Sequence, residues 1–138
     1  MYGRKISEKI YPNGINATAL TTSYQYDLLG NNISITDSKG NITKIDYDKL
    51  NNPIKVTKPD GSTITTEYTK WGTAKKTTQN DGGQPYTIAQ TYDDSGRMES
   101  HSQKGLAINT RPWYYNYRDD GTLSKVTAPN GNIQSYEY

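Results

Sequence analysis

Residues 26–40 read YDLLGNNISITDSKG, and most of the chain after them is a variation on this text. Tyr26 and Asp27 open the stretch, Gly30 turns it, Ile33 and Ile35 run out on a short strand, Thr36 closes that strand, and Gly40 turns it back. Twenty-one residues later the same positions hold Tyr47 and Asp48, Asn51 in the glycine slot, Ile54, Val56, Thr57 and Gly61. A self-similar period of this length is the signature of a repeat architecture, in which each unit is one supersecondary piece set beside the next.

Further copies follow in register. The third opens at Tyr68, where Thr69 replaces Asp and Trp71 intrudes before Gly72, and it closes at Asn80-Asp81-Gly82. The fourth opens at Tyr92-Asp93 and turns at Gly96-Arg97, with Gly105 as its expected return turn. The fifth runs from Tyr117 through Gly121 to Gly131, with Arg118 in the aspartate position and Asp119 and Asp120 keeping the turn acidic. Before the first copy, residues 1–23 read as the tail of an earlier unit with a turn at Pro12-Asn13-Gly14. The ending Tyr136-Glu137-Tyr138 reads as a ladder strand without its following turn. Units therefore begin near residues 24, 45, 66, 90 and 115, in a single array over residues 1–138 that is truncated at its end.

Composition agrees with strands. The 138 residues are only 31% hydrophobic and contain no Phe, but they carry thirteen Tyr and abundant Ile and Thr, which are strand formers. Mean hydropathy is -0.97, while the net charge is only +2, so the chain lacks the charge excess of a disordered segment. No window places apolar residues at i, i+3, i+4 and i+7, so helices are not expected. Two strands and two tight turns fit each unit, and connections this short force antiparallel neighbours. The expectation is all-β: an antiparallel meander of about twelve short strands, forming a curved or spiralling sheet.

Several classes of function lose their footing at this stage. Without Cys there is neither a disulfide framework nor a thiolate metal site. Sixteen basic residues against fourteen acidic ones, evenly spread, make no stripe for a phosphate backbone, so nucleic acid is not an expected partner. No run has the length of a membrane-spanning helix, and the first thirty residues lack a signal-peptide pattern, which puts any export signal outside this segment. The single His101 lies in a strand slot that elsewhere holds Ile35, Val56, Thr77 or Val126, and alone it builds no metal site. No nucleophile elbow, phosphate loop or dinucleotide fingerprint occurs. Neither a catalytic residue, a metal nor a cofactor is expected. The glycosylation sequons at Asn16, Asn32 and Asn41 are frequent in Asn-rich turns and point nowhere by themselves.

The repeated residues have structural readings. Each ladder tyrosine (Tyr26, Tyr47, Tyr68, Tyr92, Tyr117) has, two residues earlier, a same-face neighbour (Tyr24, Ile45, Thr66, Gln90, Tyr115), which predicts an aromatic ladder along one face. Asp27, Asp48 and Asp93 stand three residues before the glycine slot, where a short carboxylate accepts hydrogen bonds from turn amides. The candidates for ligand contact are the aromatics that break the pattern: Trp71 in its turn, and Trp113, Tyr114 and Tyr115 after the insertion Leu106–Thr110. Exposed aromatics of this kind would suit the stacking of sugar rings.

The text Tyr-Asp-x-x-Gly-Arg or Asn, an apolar and threonine strand, then Pro-Asp-Gly or Pro-Asn-Gly, resembles the YD-repeat of the RHS family. YDLLGNNISITDSKGN, YDKLNNPIKVTKPDGS and YRDDGTLSKVTAPNGN carry the resemblance most clearly, and TYDDSGRMESHSQKG more loosely. It implies a long antiparallel ribbon, which in bacterial RHS toxins, insecticidal Tc toxin components and teneurins spirals into a hollow shell. In the bacterial members the shell encloses a C-terminal toxin; teneurin-like members act in adhesion, with glycan binding suggested for the repeats. On this resemblance the expectation is a non-catalytic wall segment of a large secreted or cell-surface protein, partnered by adjacent repeats of its own polypeptide and an enclosed effector. Open sheet edges would favour self-association. A carbohydrate-binding or cell-surface adhesion module is the alternative.

Overall fold

A computed structural model describes residues 3–13, 18–105, 108–109 and 111–138. The expected turn glycine Gly14, the sequon at Asn16 and most of the insertion Leu106–Thr110 lie outside the described residues. Among those described there are strands and turns and no helix. The chain divides into two compact units, residues 1–63 and 64–138.

The first unit holds β1 (Ser7–Ile10), β2 (Leu20–Tyr26), β3 (Asn32–Thr36), β4 (Ile42–Tyr47) and β5 (Pro53–Thr57). Each pairs antiparallel with the next. The second holds β6 (Thr63–Tyr68), β7 (Ala74–Asn80), β8 (Tyr86–Tyr92), β9 (Met98–Gly105), the two-residue β10 (Ile108–Asn109), β11 (Trp113–Tyr117), β12 (Leu123–Thr127) and β13 (Ile133–Ser135). There the order again follows the chain, except that β10 pairs with β9 alone and β11 takes the next place beside β9. Both units are open meanders, as their short connections require.

Turn geometry repeats more strictly than the sequence does. In the first Tyr-Asp turn the Gly30 N–H donates to the Asp27 carbonyl (3.1 Å) and the Asp27 N–H to the Asn31 carbonyl (3.0 Å). The result is a three-residue hairpin loop with a left-handed residue in fourth place. The same pair of bonds recurs at Asp37–Asn41, Asp48–Asn52, Lys58–Ser62, Thr69–Thr73, Asp93–Arg97, Arg118–Thr122 and Ala128–Asn132. Their fourth residues have φ between 81° and 95° where glycine stands there, and Asn51 takes 65° in the same slot. Asn is the side chain that enters this region at least cost, because its short amide bonds locally.

The turns on the tyrosine side carry a second irregularity. Gln25 faces Ser34 but Tyr26 faces Asn32, which leaves Ile33 as an extra residue on the outgoing strand. The same slip leaves out Ile54, Glu99 and Ser124 in the later Tyr-turn hairpins. The return hairpin between β3 and β4 keeps one register throughout. A one-residue bulge bends its strand and raises the local right-handed twist, so the bending of each such hairpin is concentrated near its tyrosine end.

No hydrophobic side chain among the described residues is fully buried, and the one buried residue is Ser62, at 6% exposure. The two faces still differ in chemistry. Tyr24, Ile35, Thr43, Ile45 and Val56 share one face of the first unit, whereas Ser34, Lys44 and Thr57 form a row on the other. In the second unit Gln90, His101 and Trp113 share a face with Tyr115, Val126 and Gln134, and Thr91, Ser100, Tyr114 and Thr127 lie opposite. Gly105 is the last residue of β9 and pairs with Ile108, so it flanks the return without taking the left-handed conformation of the other turn glycines. A Cβ there would lie 2.7 Å from the ring of Tyr86. The glycine is needed because that ring lies against its backbone. At the other end, Tyr136 lies past β13 and continues the pairing through one bond, from its N–H to the Ser124 carbonyl (3.0 Å).

Gly40 has φ of 85° and open space around its Cα. Gly40→Ala therefore isolates the backbone cost of the left-handed slot, and about 1–2 kcal/mol of stability should be lost, read as a lower urea midpoint at unchanged m-value.

Candidate functional site

The most developed constellation in this chain is the repeated turn with its tyrosine. In the first copy the Asp27 carboxylate accepts from the Asn31 N–H through Oδ1 and from the Asn31 side-chain amide through Oδ2, both at 2.8 Å. Asp37 holds Asn41 in the same two ways, and so does Asp48 with Asn52. At Asp93 the fifth residue is Arg97, whose N–H reaches Oδ1 at 2.9 Å and whose Nε reaches Oδ2 at 2.6 Å. The turn role read for Asp27, Asp48 and Asp93 is thus visible bond by bond.

The turns without a leading aspartate serve the same amide by other means. Thr69 Oγ1 accepts from the Thr73 N–H at 3.2 Å. Where Lys58, Arg118 and Ala128 hold the first place, an acceptor moves to the third: Asp60 takes the Ser62 N–H, Asp120 the Thr122 N–H and Asn130 the Asn132 N–H. A side chain two residues before the amide reaches it as well as one four residues before. The acidic pair after Arg118 was legible as a turn feature; the division of labour within it, with Asp120 as acceptor, was not.

These bonds set the ionisation of the carboxylates. The Asn31, Asn41 and Asn52 side chains hold Asp27, Asp37 and Asp48 below the usual carboxylate range, with the turn amides adding to the effect. The Arg97 amide lowers Asp93, and the Thr122 side chain lowers Asp120. Burial works the other way at Tyr47, whose phenol is pushed up and so stays a donor.

Four ladder tyrosines, Tyr26, Tyr47, Tyr92 and Tyr117, reach back to a carbonyl at or just before the start of the neighbouring strand. Tyr47 donates to the carbonyl of Asn32, the first residue of β3, at 3.0 Å, and Tyr117 to that of Met98, the first of β9, at 2.9 Å. Tyr92 Oη lies 3.1 Å from the carbonyl of Ala74, the first of β7, and Tyr26 donates to Lys5, two residues before β1, at 2.8 Å. Tyr68 closes β6 in the equivalent place. Ring and hydroxyl have separate tasks: the ring lies on the pleat and the hydroxyl pins the start of the preceding strand.

The four aromatics singled out for ligand contact do not form one patch. Trp71 sits in the β6–β7 turn, half exposed, with Lys70 Nζ 4.5 Å from its ring centre. Trp113 faces His101 across the β9–β11 pair and lines a small cleft of about 180 Å³ with Val126, Ala128 and Ile133. Tyr115 pairs with Val126 on that face. Tyr114, 51% exposed, projects from the other face beside an open cleft of about 360 Å³ with Thr91, Glu99, Ser100 and Asn116. Side chains alternate along a strand, so Trp113 and Tyr114 belong to opposite faces, while Tyr114 and Tyr115 both border the cleft of about 360 Å³. His101 Nε2 lies 3.2 Å from Gln103 Nε2 on its own strand. Among the described residues no group of three or more His, Asp or Glu side chains converges as a metal site.

No family model matches the chain, and no curated protein does. Solved structures do. The crystal structure of TcdB2-TccC3-TEV matches with a TM-score of 0.60 at 17% identity over 87% of this chain. That of TcdB2-TccC3-Cdc42 matches with a TM-score of 0.57 at 19% identity over 80%. A Tc holotoxin pore from Photorhabdus luminescens, carrying a TccC3 variant, matches with a TM-score of 0.56 at 16% identity over 87%. The chain spans 6% of the length of each of these. Tc toxin components were among the bearers named by the YD-repeat resemblance, and the chain shares their fold.

Two measurements test the repeated turn. For an aspartate whose folded pKa lies below its unfolded value, the stabilisation is complete above the unfolded pKa, about 3.9, and is lost as pH falls through the folded one. Asp27, Asp37, Asp48, Asp93 and Asp120 act in the same direction. The melting temperature should therefore hold steady from neutral pH to about 5 and drop below about 4; a rise in that window would contradict the assignment. Tyr117→Phe keeps the ring and removes the bond to Met98, and chemical denaturation should show a loss of about 1 kcal/mol.

Proposed function

We propose that this chain is a non-catalytic wall segment of a large secreted or cell-surface YD-repeat protein of the RHS type, whose shell encloses or presents a toxin or effector. The observation that carries the reading is the open meander of each unit, in which turn and tyrosine staple recur and no hydrophobic side chain among the described residues is fully buried. Likeness in fold to Tc toxin structures of which the chain spans 6% supports a segment's role over that of a self-contained domain. The partners are then the adjacent repeats of the same polypeptide, paired along the sheet edges, and the enclosed effector. The carboxylates whose ionisation is displaced within the turns are engaged in holding turn amides or side chains there, which leaves them structural work.

A second reading, a glycan-binding or adhesive surface, is favoured by one feature. Tyr114 offers an exposed ring beside hydroxyl, amide and carboxylate groups of Thr91, Ser100, Asn116 and Glu99, a mixture suited to a sugar's apolar face and its hydroxyls.

Electron microscopy of the complete natural polypeptide decides between them. The wall reading expects residues 3–138 as strands in a continuous β-wall around a lumen. A projecting stalk with both faces in solvent would overturn it, as would turnover of any substrate abolished by Asp27→Asn or Asp93→Asn with folding intact. Glycan-array binding lost in Tyr114→Ala would establish the second reading, and an array without binding would remove it.

A further inference from the structure

The turns of this chain share one set of backbone bonds. Those at Asp27 are the same as those at Asp48 or Asp93, and they tie no turn to the one beside it. Strand register, too, is weakly specified where neither face is fully buried. One contact between neighbouring turns does vary. It joins the fifth residue of one turn, the one after the left-handed slot, to the left-handed slot of the next.

In the second unit the fifth residue is Arg97. Its guanidinium stacks 4.8 Å from the ring centre of Tyr117, in the next turn, and reaches the Arg118 carbonyl at 3.4 Å. The left-handed slot of that turn is Gly121, where a Cβ would already touch Arg97 Nη1 at 3.5 Å. At the start of the first unit Arg4 does the same. It lies 5.8 Å over Tyr26, reaches the Leu29 carbonyl at 3.5 Å, and rests on Gly30 so closely that a Cβ there would overlap the guanidinium. A long cation meets a bare glycine in both cases.

Between the turns at Asp27 and Asp48 both positions change together. The fifth residue is Asn31, and the slot it faces holds Asn51. Asn31 Nδ2 donates to Asn51 Oδ1 at 2.8 Å while remaining bonded to Asp27. Two short amides bridge the distance that an arginine spans elsewhere. An open cleft of about 380 Å³ beside them is lined by Asp27, Asn31, Tyr47, Asp48 and Asn51. An arginine at residue 31 would meet the Asn51 side chain, and an asparagine at residue 121 would meet Arg97.

We propose that at these three junctions the two positions form a matched pair that locks one turn to the next, Arg with Gly and Asn with Asn, the partner surface being the turn of the neighbouring repeat. The same positions elsewhere hold Asn52 with Gly72 and Thr73 with Gly96, so the lock belongs to particular junctions and not to every repeat. A mismatched pair at such a junction costs stability by collision or by an unmade bond. This deepens the wall reading by naming how adjacent repeats are held, but its test reads this chain alone and holds whether or not a shell is formed.

The test is a pair of double-mutant cycles on the whole chain, read by thermal unfolding. In the first, Arg97→Asn and Gly121→Asn should each lower the midpoint. The double variant should recover about 4 °C or more relative to Gly121→Asn alone, taking the usual scale of a 1 kcal/mol coupling in a domain of this size. In the second, Asn31→Arg should lower the midpoint and the added Asn51→Gly should restore it. If Gly121→Asn fails to fold, the second cycle stands by itself. Restoration in either cycle supports the matched pair; additive losses in every cycle that can be measured overturn it.

Discussion

In each unit the described strands leave no hydrophobic side chain fully buried, and that constraint governs this protein. Hydrophobic burial, the leading stabilising term in most domains, is reduced here to the partial covering of tyrosine, isoleucine and valine on one face. What remains is hydrogen bonding at the turns and staples between strands. The fifth amide of a turn is the critical group: from Asn31 to Asn132 it is met by a side-chain oxygen at 2.8–3.2 Å in every hairpin loop of the common type. A hairpin that ends in such a turn enters the sheet with its direction and loop length already set.

The tyrosine staple and the strand bulge are two consequences of that turn. Because the loop fixes where the incoming strand ends, Tyr47, Tyr92 and Tyr117 arrive opposite the start of the preceding strand, within reach of a carbonyl there. Because the outgoing strand carries one residue too many, the register slips beside Tyr26, Tyr47, Tyr92 and Tyr117, at Ile33, Ile54, Glu99 and Ser124. Both features fall at one end of the hairpins, while the return hairpin at Asp37 keeps its register.

Much of this was open to reading from residue types. The left-handed slots were legible, down to Asn51, because φ > 0 is a property of one residue and its lack of a Cβ clash. The aspartate role was legible because its bonds close within five residues. Gly105 stands at its return as the spacing predicts, but the ring of Tyr86 that lies against it comes from another strand, to which spacing in the sequence is blind. Trp113 and Tyr114, adjacent in sequence, stand on opposite faces, and Trp113 instead meets His101. The bulges left no signal that a single strand could show, since an extra residue exists only relative to a partner.

The sequence by itself determined the repeat, the all-β meander and most of the turn positions, because each follows from contacts that are local or periodic. Only the tertiary structure decided which carbonyl receives each tyrosine hydroxyl, where the register slips, and that Asn31 answers Asn51 as Arg97 answers Gly121. Those are relations between strands and between turns some twenty residues apart. A chain specifies them jointly through geometry, and no residue carries them alone.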